Sequence, residues 1–277
     1  MKKNFLLLTD FYPDTLENII KNDLVDYNIY SHCPVLKSSN LTKQVDRFSA
    51  GLIFQQAHTS LPTFKKTLKN EEFNYKNIVK EVLDFSNFVR DISKKVSNLF
   101  VFTFGLPNTH KKFSVLDYNN DIGLKYLILK TNDALIKEIS KINGIHLIDI
   151  NLLKSDEEFS QLRSWYTSKQ LYSIEQLSQI SYFIKSGLET LNGKNKKLII
   201  CDLDNTIWGG VVGDDGIEKL RIGGHDPIGE AYVDFQNYLL SLKNKGILLA
   251  ISSKNSFKVA INVLKNHPEM ILRDDDF

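Results

Sequence analysis

Leu198-Ile199-Ile200-Cys201-Asp202-Leu203-Asp204-Asn205-Thr206 is an apolar run that ends in two acids one residue apart. Four apolar residues between lysines and a polar turn read as a buried-type strand. Side chains alternate across a strand, so carboxylates at i and i+2 point the same way. At the carboxyl end of a strand they project into the crevice where open α/β sheets bind ligands. Two carboxylates this close repel each other unless a cation joins them or one carries a proton. Both states serve phosphate chemistry. A hard cation such as Mg²⁺ takes oxygen ligands and bridges to a phosphate, and a protonated acid can hand its proton to a leaving oxygen. Asp202 is therefore the candidate nucleophile, forming an aspartyl-phosphate. Asp204 is the candidate acid/base, and both are candidate metal ligands.

The residues downstream extend the pattern. Phe235, Tyr238, Leu239 and Leu242 have helical spacing and stop at Gly246, a residue suited to the left-handed turn after a helix. A second apolar strand over 247–251 runs into Ser252-Ser253-Lys254-Asn255, and Phe257, Ala260, Ile261 and Leu264 then resume the helical spacing ahead of Pro268. Strand, long loop, helix, strand, polar turn and helix make a βαβ unit, right-handed by the usual rule. Gly209, Gly210, Gly213 and Gly216 either bring the loop backbone close to a phosphate or simply fold a hairpin that touches no ligand.

The stretch Leu203-Asp204-Asn205-Thr206-Ile207-Trp208-Gly209-Gly210-Val211-Val212-Gly213-Asp214-Asp215-Gly216 resembles the signature of the FkbH-like branch, subfamily IIIC type, of the haloacid-dehalogenase (HAD) superfamily. Gly229-Glu230-Ala231, Phe235-Gln236, the turn at 252–255 and His267-Pro268-Glu269-Met270-Ile271-Leu272-Arg273 are similar to the same branch. The resemblance implies a Mg²⁺-dependent site. In it Asp202 is nucleophile and metal ligand, and Asp204 is acid/base and metal ligand through its backbone carbonyl. Ser253 clamps a phosphate oxygen, Lys254 and Asn255 line the pocket, and Thr206, Gly209 and Gly210 belong to the phosphate-binding loop. It also implies partners: a small phosphorylated metabolite and an acyl carrier protein, onto which a glyceryl-type acyl group is loaded in polyketide, capsule or surface-polysaccharide biosynthesis. A plain small-molecule phosphatase on the same site is the first alternative, and a non-catalytic binding module the second. Cys201 is the nearest thiol, but alternation turns it away from Asp202 and into the core. Trp208 reads as a packing anchor. Such sites also take a lysine and further acids from later segments, and 273–277 does not match that acidic motif. The HAD-like part, 196–277, is thus expected to be incomplete at its carboxyl end, catalytically dead or nearly so, and loosely ordered over 257–277.

Upstream, apolar runs at 4–9, 99–104 and 145–150 read as strands. Helical stripes lie between them: Leu16, Ile19, Ile20 and Leu24 after Pro13; Ile78, Val82, Phe85, Val89, Ile92 and Val96; and Leu135, Ile136, Ile139 and Ile142. This alternation predicts α/β domains with mainly parallel sheets. The first, over 1–165, is expected to be a flavodoxin-like three-layer domain that resembles SGNH hydrolases. It lacks their Gly-Asp-Ser nucleophile, with Thr9-Asp10-Phe11 in its place, and lacks a closing Asp-x-x-His after 145–150. Gly105-Leu106-Pro107-Asn108 stands near the oxyanion-hole block. A non-hydrolytic docking or lid role is expected. Leu177, Ile180, Ile184, Leu188 and Leu191 predict a connecting helix within 166–195.

Bulk properties exclude several classes. The 277 residues are 42% hydrophobic and 25% charged, and 35 basic against 33 acidic side chains leave a formal net charge of +2. Interspersed charges of both signs give no electrostatic case for nucleic acid or an anionic membrane. The apolar run after Lys3 is too short for a signal peptide. Cys33 and Cys201 make no disulfide framework, so a reducing cytoplasm is expected. The six histidines lack metal-ligand spacing, and only His225 sits in a glycine loop near the motif.

Overall fold

The computed structural model describes residues 2–33, 46–69, 71, 73–106, 115–120, 122–154, 166 and 171–277. Two compact units emerge, Met1–Asn192 and Gly193–Phe277.

The first unit is built on five parallel strands: β1 (Lys3–Thr9), β2 (Tyr27–His32), β3 (Ala50–Phe54), β4 (Leu99–Phe102) and β5 (Ile145–Ile148), in the order β2-β1-β3-β4-β5. That is the flavodoxin-like order of a doubly wound sheet. Its helices are α1 (Asp14–Asp23), α2 (Ala57–Ser60), α3 (Pro62–Leu68), α4 (Tyr75–Ser93), α5 (Leu124–Ile139) and α6 (Ile174–Leu191). A parallel sheet buried on both faces needs apolar side chains at every position. Leu6, Leu8, Ile53, Leu99 and Val101 face α4 and α5, meeting Ile78, Val82, Phe85, Val89, Leu127, Leu135 and Ile139. Their neighbours Phe5, Leu7, Leu52, Phe54, Phe100 and Phe102 face α1 and α6, meeting Leu16, Ile20, Leu177, Ile180, Ile184 and Leu188. Three layers result.

Two differences from the sequence expectation stand out. The helix expected to join the domains is part of the first unit's core. α6 opens on a capping box between Ser173 and Gln176, bonds α1 through Ser181 Oγ to Asp23 Oδ2 at 2.6 Å, and lies so close to the sheet that a Cβ on Gly187 would meet Phe100 at 2.6 Å. In addition, β2 and β3 were absent from the expectation. β2 is an edge strand of half-buried, mixed side chains. β3 carries Gly51, where a Cβ would stand 3.0 Å from the Leu6 carbonyl oxygen; close approach to β1 explains the glycine, and the glycine weakens the strand signal.

The second unit pairs β6 (Leu198–Cys201) in parallel with β7 (Leu248–Ile251), with Cys201 opposite Ile251. Between them lie the short α7 (Val212–Asp215) and the long α8 (Pro227–Asn244); α9 (Phe257–Asn266) follows. Asp226 caps α8 by accepting from the Ile228 and Gly229 N–H groups, with Pro227 in the first turn. Gly246, at φ 91, turns the chain out of it. The core gathers Cys201, Leu203, Ile207, Trp208, Val212, Leu239, Leu249, Val263, Leu264, Met270 and Leu272. β6 is buried on one face, not two: Leu198 and Ile200 are exposed while Cys201 is buried. Residues 257–277 are packed rather than loose. Arg273 Nη1 donates to the Leu264, Lys265 and His267 carbonyls at the end of α9, and Lys243 Nζ reaches Asp276 Oδ1 at 2.6 Å. Among the described residues no helix is long and apolar enough to cross a membrane.

One fully buried amide ties this unit together. Gln236 on α8 donates from Nε2 to the Ile207 carbonyl at 2.9 Å and accepts at Oε1 from the Ile271 and Leu272 N–H groups at 2.9 and 3.1 Å. Gln236→Leu keeps the volume but leaves three buried backbone groups without partners. At about 1–3 kcal/mol for an orphaned group, the unit is expected to lose roughly 3 kcal/mol or more in urea unfolding followed by Trp208 fluorescence. An unchanged midpoint would contradict this role.

Candidate active site

The site is assembled at the carboxyl ends of β6 and β7. The Ser252 N–H donates to the Cys201 carbonyl at 2.9 Å, carrying the strand pairing one step further and setting the Asp202 loop beside the Ser252–Asn255 turn. After Cys201 the chain leaves the strand through a tight turn. The N–H groups of Thr206 and Ile207 both donate to the Leu203 carbonyl at 3.1 and 2.9 Å, and Asn205 adopts φ 54. Asparagine tolerates this left-handed conformation better than most residues. Its Oδ1 also accepts from the Gly210 N–H at 2.9 Å, closing the loop.

Asp204 is the most heavily bonded group in the site. Oδ1 accepts from Trp208 Nε1 at 3.0 Å and from the Val212 N–H at 3.2 Å, and Oδ2 accepts from Asn255 Nδ2 at 2.9 Å. Its half-buried charge is thus met by donors from the signature loop, from α7 and from the turn after β7. Asp202, by contrast, is exposed and takes a single bond among the described residues, from the Leu203 N–H to Oδ1 at 2.8 Å. The two acids are not equivalent. One is locked in place and the other is presented.

Ser253 Oγ accepts from both the backbone N–H and Nδ2 of Asn255, each at 3.3 Å. Its own proton remains for a donor bond elsewhere. Both Nδ2 hydrogens of Asn255 are used, one on Asp204 and one on Ser253, so Asn255 orients these two groups. Lys254 is exposed on the same turn. The half-buried Thr206 enters through the backbone of the turn.

The glycines differ from the phosphate-cradle expectation. The Gly209 N–H donates to the Arg221 carbonyl at 3.1 Å, with the return bond at 2.9 Å, and a Cβ there would stand 2.8 Å from the Tyr232 ring. The Gly210 N–H is spent on Asn205, with φ 102. Both glycines therefore shape the loop, and neither offers its N–H to a phosphate. Trp208 is fully buried, as a packing anchor should be, but its bond to Asp204 was not foreseen. Burial pushes the Cys201 thiol up, away from the reactive thiolate. His225 lies exposed ahead of α8. Pro107 and Asn108 lie outside the described residues. Among the described residues no three His, Cys, Asp or Glu side chains converge as metal ligands.

No family model matches the chain, and no curated protein is significantly similar to it. A solved structure shares the fold. It is the crystal structure of the N-terminal part of the protein BF1531 from Bacteroides fragilis, described as containing a phosphatase domain complexed with Mg. It superposes with a TM-score of 0.79 at 25% sequence identity, over 100% of this chain and 75% of that one. The match supports a HAD-like phosphatase fold and does not single out the FkbH-like branch.

Trp208→Phe removes the Nε1–H bonded to Asp204 together with part of a fully buried ring. It is expected to cost about 2 kcal/mol or more in thermal unfolding, from the lost bond and the small cavity together, against roughly 3–5 kcal/mol for Trp208→Ala. Equal midpoints for Trp208→Phe and the parent chain would show that the bond contributes nothing.

Proposed function

We propose that 193–277 carries a metal-dependent phosphoryl-transfer site of the phosphatase type, acting on small phosphorylated molecules with Asp202 as nucleophile. The observation that carries this is the inequality of the two acids at one strand end. Asp204 is immobilised by three donors, and Asp202 is exposed beside it with one. A nucleophile must be accessible and held in line, and a neighbour that cannot swing toward it keeps it so.

The donor set fits Mg²⁺. The Asp202 carboxylate and the Asp204 carbonyl are hard oxygen ligands. Water and substrate phosphate would supply further oxygens of the ion's shell beside these two protein ligands. When bound, the ion would lower the repulsion between Asp202 and the phosphate oxygens. The chain's own residues account for the rest. Asp202 forms a bond to phosphorus as the ester oxygen departs, and water then breaks the aspartyl-phosphate. The Ser253 hydroxyl, whose oxygen already accepts two bonds, donates to a phosphate oxygen. For Asp204 to exchange protons with the leaving oxygen, Oδ2 must trade its bond to Asn255 for one to the substrate.

Loading of a glyceryl-type acyl group onto an acyl carrier protein is the finer reading, and it rests on the likeness of 203–216 to the FkbH-like branch. Those residues have structural work here. Trp208 and Val212 hold Asp204, and Gly209 and Gly210 shape the loop. The signature therefore supports the phosphoryl site more directly than it supports a carrier, and the phosphatase reading is favoured.

Phosphate release from p-nitrophenyl phosphate and phosphorylated three-carbon acids in Mg²⁺ tests this. Asp202→Asn is expected to lower it by about 10³-fold or more, as loss of a covalent nucleophile does. Asn255→Ala, which frees Asp204 Oδ2, is expected to cost about 10–10²-fold, mainly in kcat. Undiminished turnover in Asp202→Asn, or equal turnover in EDTA, would contradict the assignment. A mass increment on an added phosphopantetheinylated carrier would favour acyl loading instead.

A further inference from the structure

A second polar cluster lies in the first unit, where the sheet reverses its winding. β1 is flanked by β2 on one side and β3 on the other, and in doubly wound sheets the crevice outside the carboxyl ends at such a reversal is where ligands bind. Asp10 follows β1 and Gln56 follows β3. The Gln56 N–H donates to Asp10 Oδ2 at 2.8 Å, while Asp10 Oδ1 is buried with no hydrogen-bond partner among the described residues. The Gln56 side chain, 8% exposed, donates from Nε2 to Tyr172 Oη at 3.3 Å. Its Oε1 is likewise buried without a partner among the described residues. Native proteins rarely leave buried acceptors in this state, and each one asks for an explanation.

The walls are aromatic. Phe11, Phe54 and Tyr172 form a mutual cluster, with ring centroids 5.6 Å apart for Phe11–Phe54, 5.5 Å for Phe11–Tyr172 and 4.7 Å for Phe54–Tyr172. Asp10, Phe11 and Tyr172 are each part-exposed, so the cluster reaches the surface. Two acceptor atoms without partners among the described residues, one of them on a carboxylate, beside aromatic faces are the chemistry that recognises an ammonium group. We infer that the carboxyl edge of β1 and β3 binds a small molecule through a primary ammonium group, held by Asp10 Oδ1 and Gln56 Oε1 against Phe11 and Tyr172. Burial pushes the Asp10 carboxyl up, only partly offset by bonds from the Gln56 N–H and the Thr59 hydroxyl. A cationic ligand would relieve that cost. The Thr9-Asp10-Phe11 segment thereby gains a role that is neither hydrolytic nor merely structural.

The test is an NMR titration of the full chain with n-butylammonium chloride, with n-butanol and butyramide as uncharged controls. Saturable shifts are expected in about the millimolar range, confined to amides of 10–11, 54–59 and 172. Asp10→Asn is expected to weaken binding at least about tenfold by removing the charge. If that variant fails to fold, Gln56→Met, which keeps the length and loses the acceptor, is expected to weaken binding several-fold. Shifts that do not saturate, equal binding of the uncharged probes, or undiminished binding in a folded Asp10→Asn chain would overturn the proposal. So would a high-resolution structure in the probe showing ordered water alone on Asp10 Oδ1 and Gln56 Oε1.

Discussion

The carboxylate of Asp204 is the point around which the second unit's candidate site is organised. A charged group that is half out of water must find donors, and it finds them on three segments distant in sequence: the Trp208 ring, the Val212 backbone and the Asn255 amide. Meeting that requirement draws the loop after β6 onto the turn after β7. Asn255 then fixes Ser253, and the loop in turn fixes where Asp202 leaves the strand. The buried Gln236 works on the opposite side, holding the Ile207 carbonyl of the same loop to the Ile271 and Leu272 backbone. The loop after β6 is held in one shape by two side chains, each with three hydrogen-bond partners.

The two units follow the same rule at different scales. In each, parallel strands end together, and polar residues that cannot be paired within the sheet collect at the carboxyl edge. In the second unit those residues are acids and a serine. In the first they are Asp10, Gln56 and Tyr172 among phenylalanines. The contrast in surroundings sets the contrast in chemistry. Asp202 is open to solvent and suited to a metal and a phosphate. Asp10 is half-buried among aromatic rings, and burial raises its carboxyl.

What the sequence made legible was what periodicity encodes. The helical stripes in α1, α4, α5, α6, α8 and α9 and the apolar runs of β1, β4, β5, β6 and β7 stood out because one face or both are buried. The Asp202–Asp204 pair and Ser253 stood out because they end apolar runs, two acids at i and i+2 after one and a hydroxyl after the other. Strand β3 was hidden by Gly51, which serves close packing against β1, and β2 by the mixed side chains of an edge. The place of α6 in the first core could not be read, since an amphipathic helix does not announce which sheet it covers. The roles of Trp208, Gln236 and Asn255 were equally hidden. Each depends on a partner tens of residues away or on a loop shape that no local pattern records. Gly209 and Gly210 were legible as loop residues but not in purpose, because a glycine needed for packing and one needed for a phosphate look the same in sequence.

The central claim is that Asp202 is presented and Asp204 is locked. A crystal structure of the chain grown with Mg²⁺ and beryllium fluoride, a phosphate mimic, tests it most directly. The account predicts the fluoride complex on an Asp202 carboxylate oxygen, the Ser253 hydroxyl donating to it, and Asp204 Oδ1 still bonded to Trp208 and Val212. The mimic on Asp204, or Asp202 turned away from the metal with Asp204 released from Trp208, would contradict it.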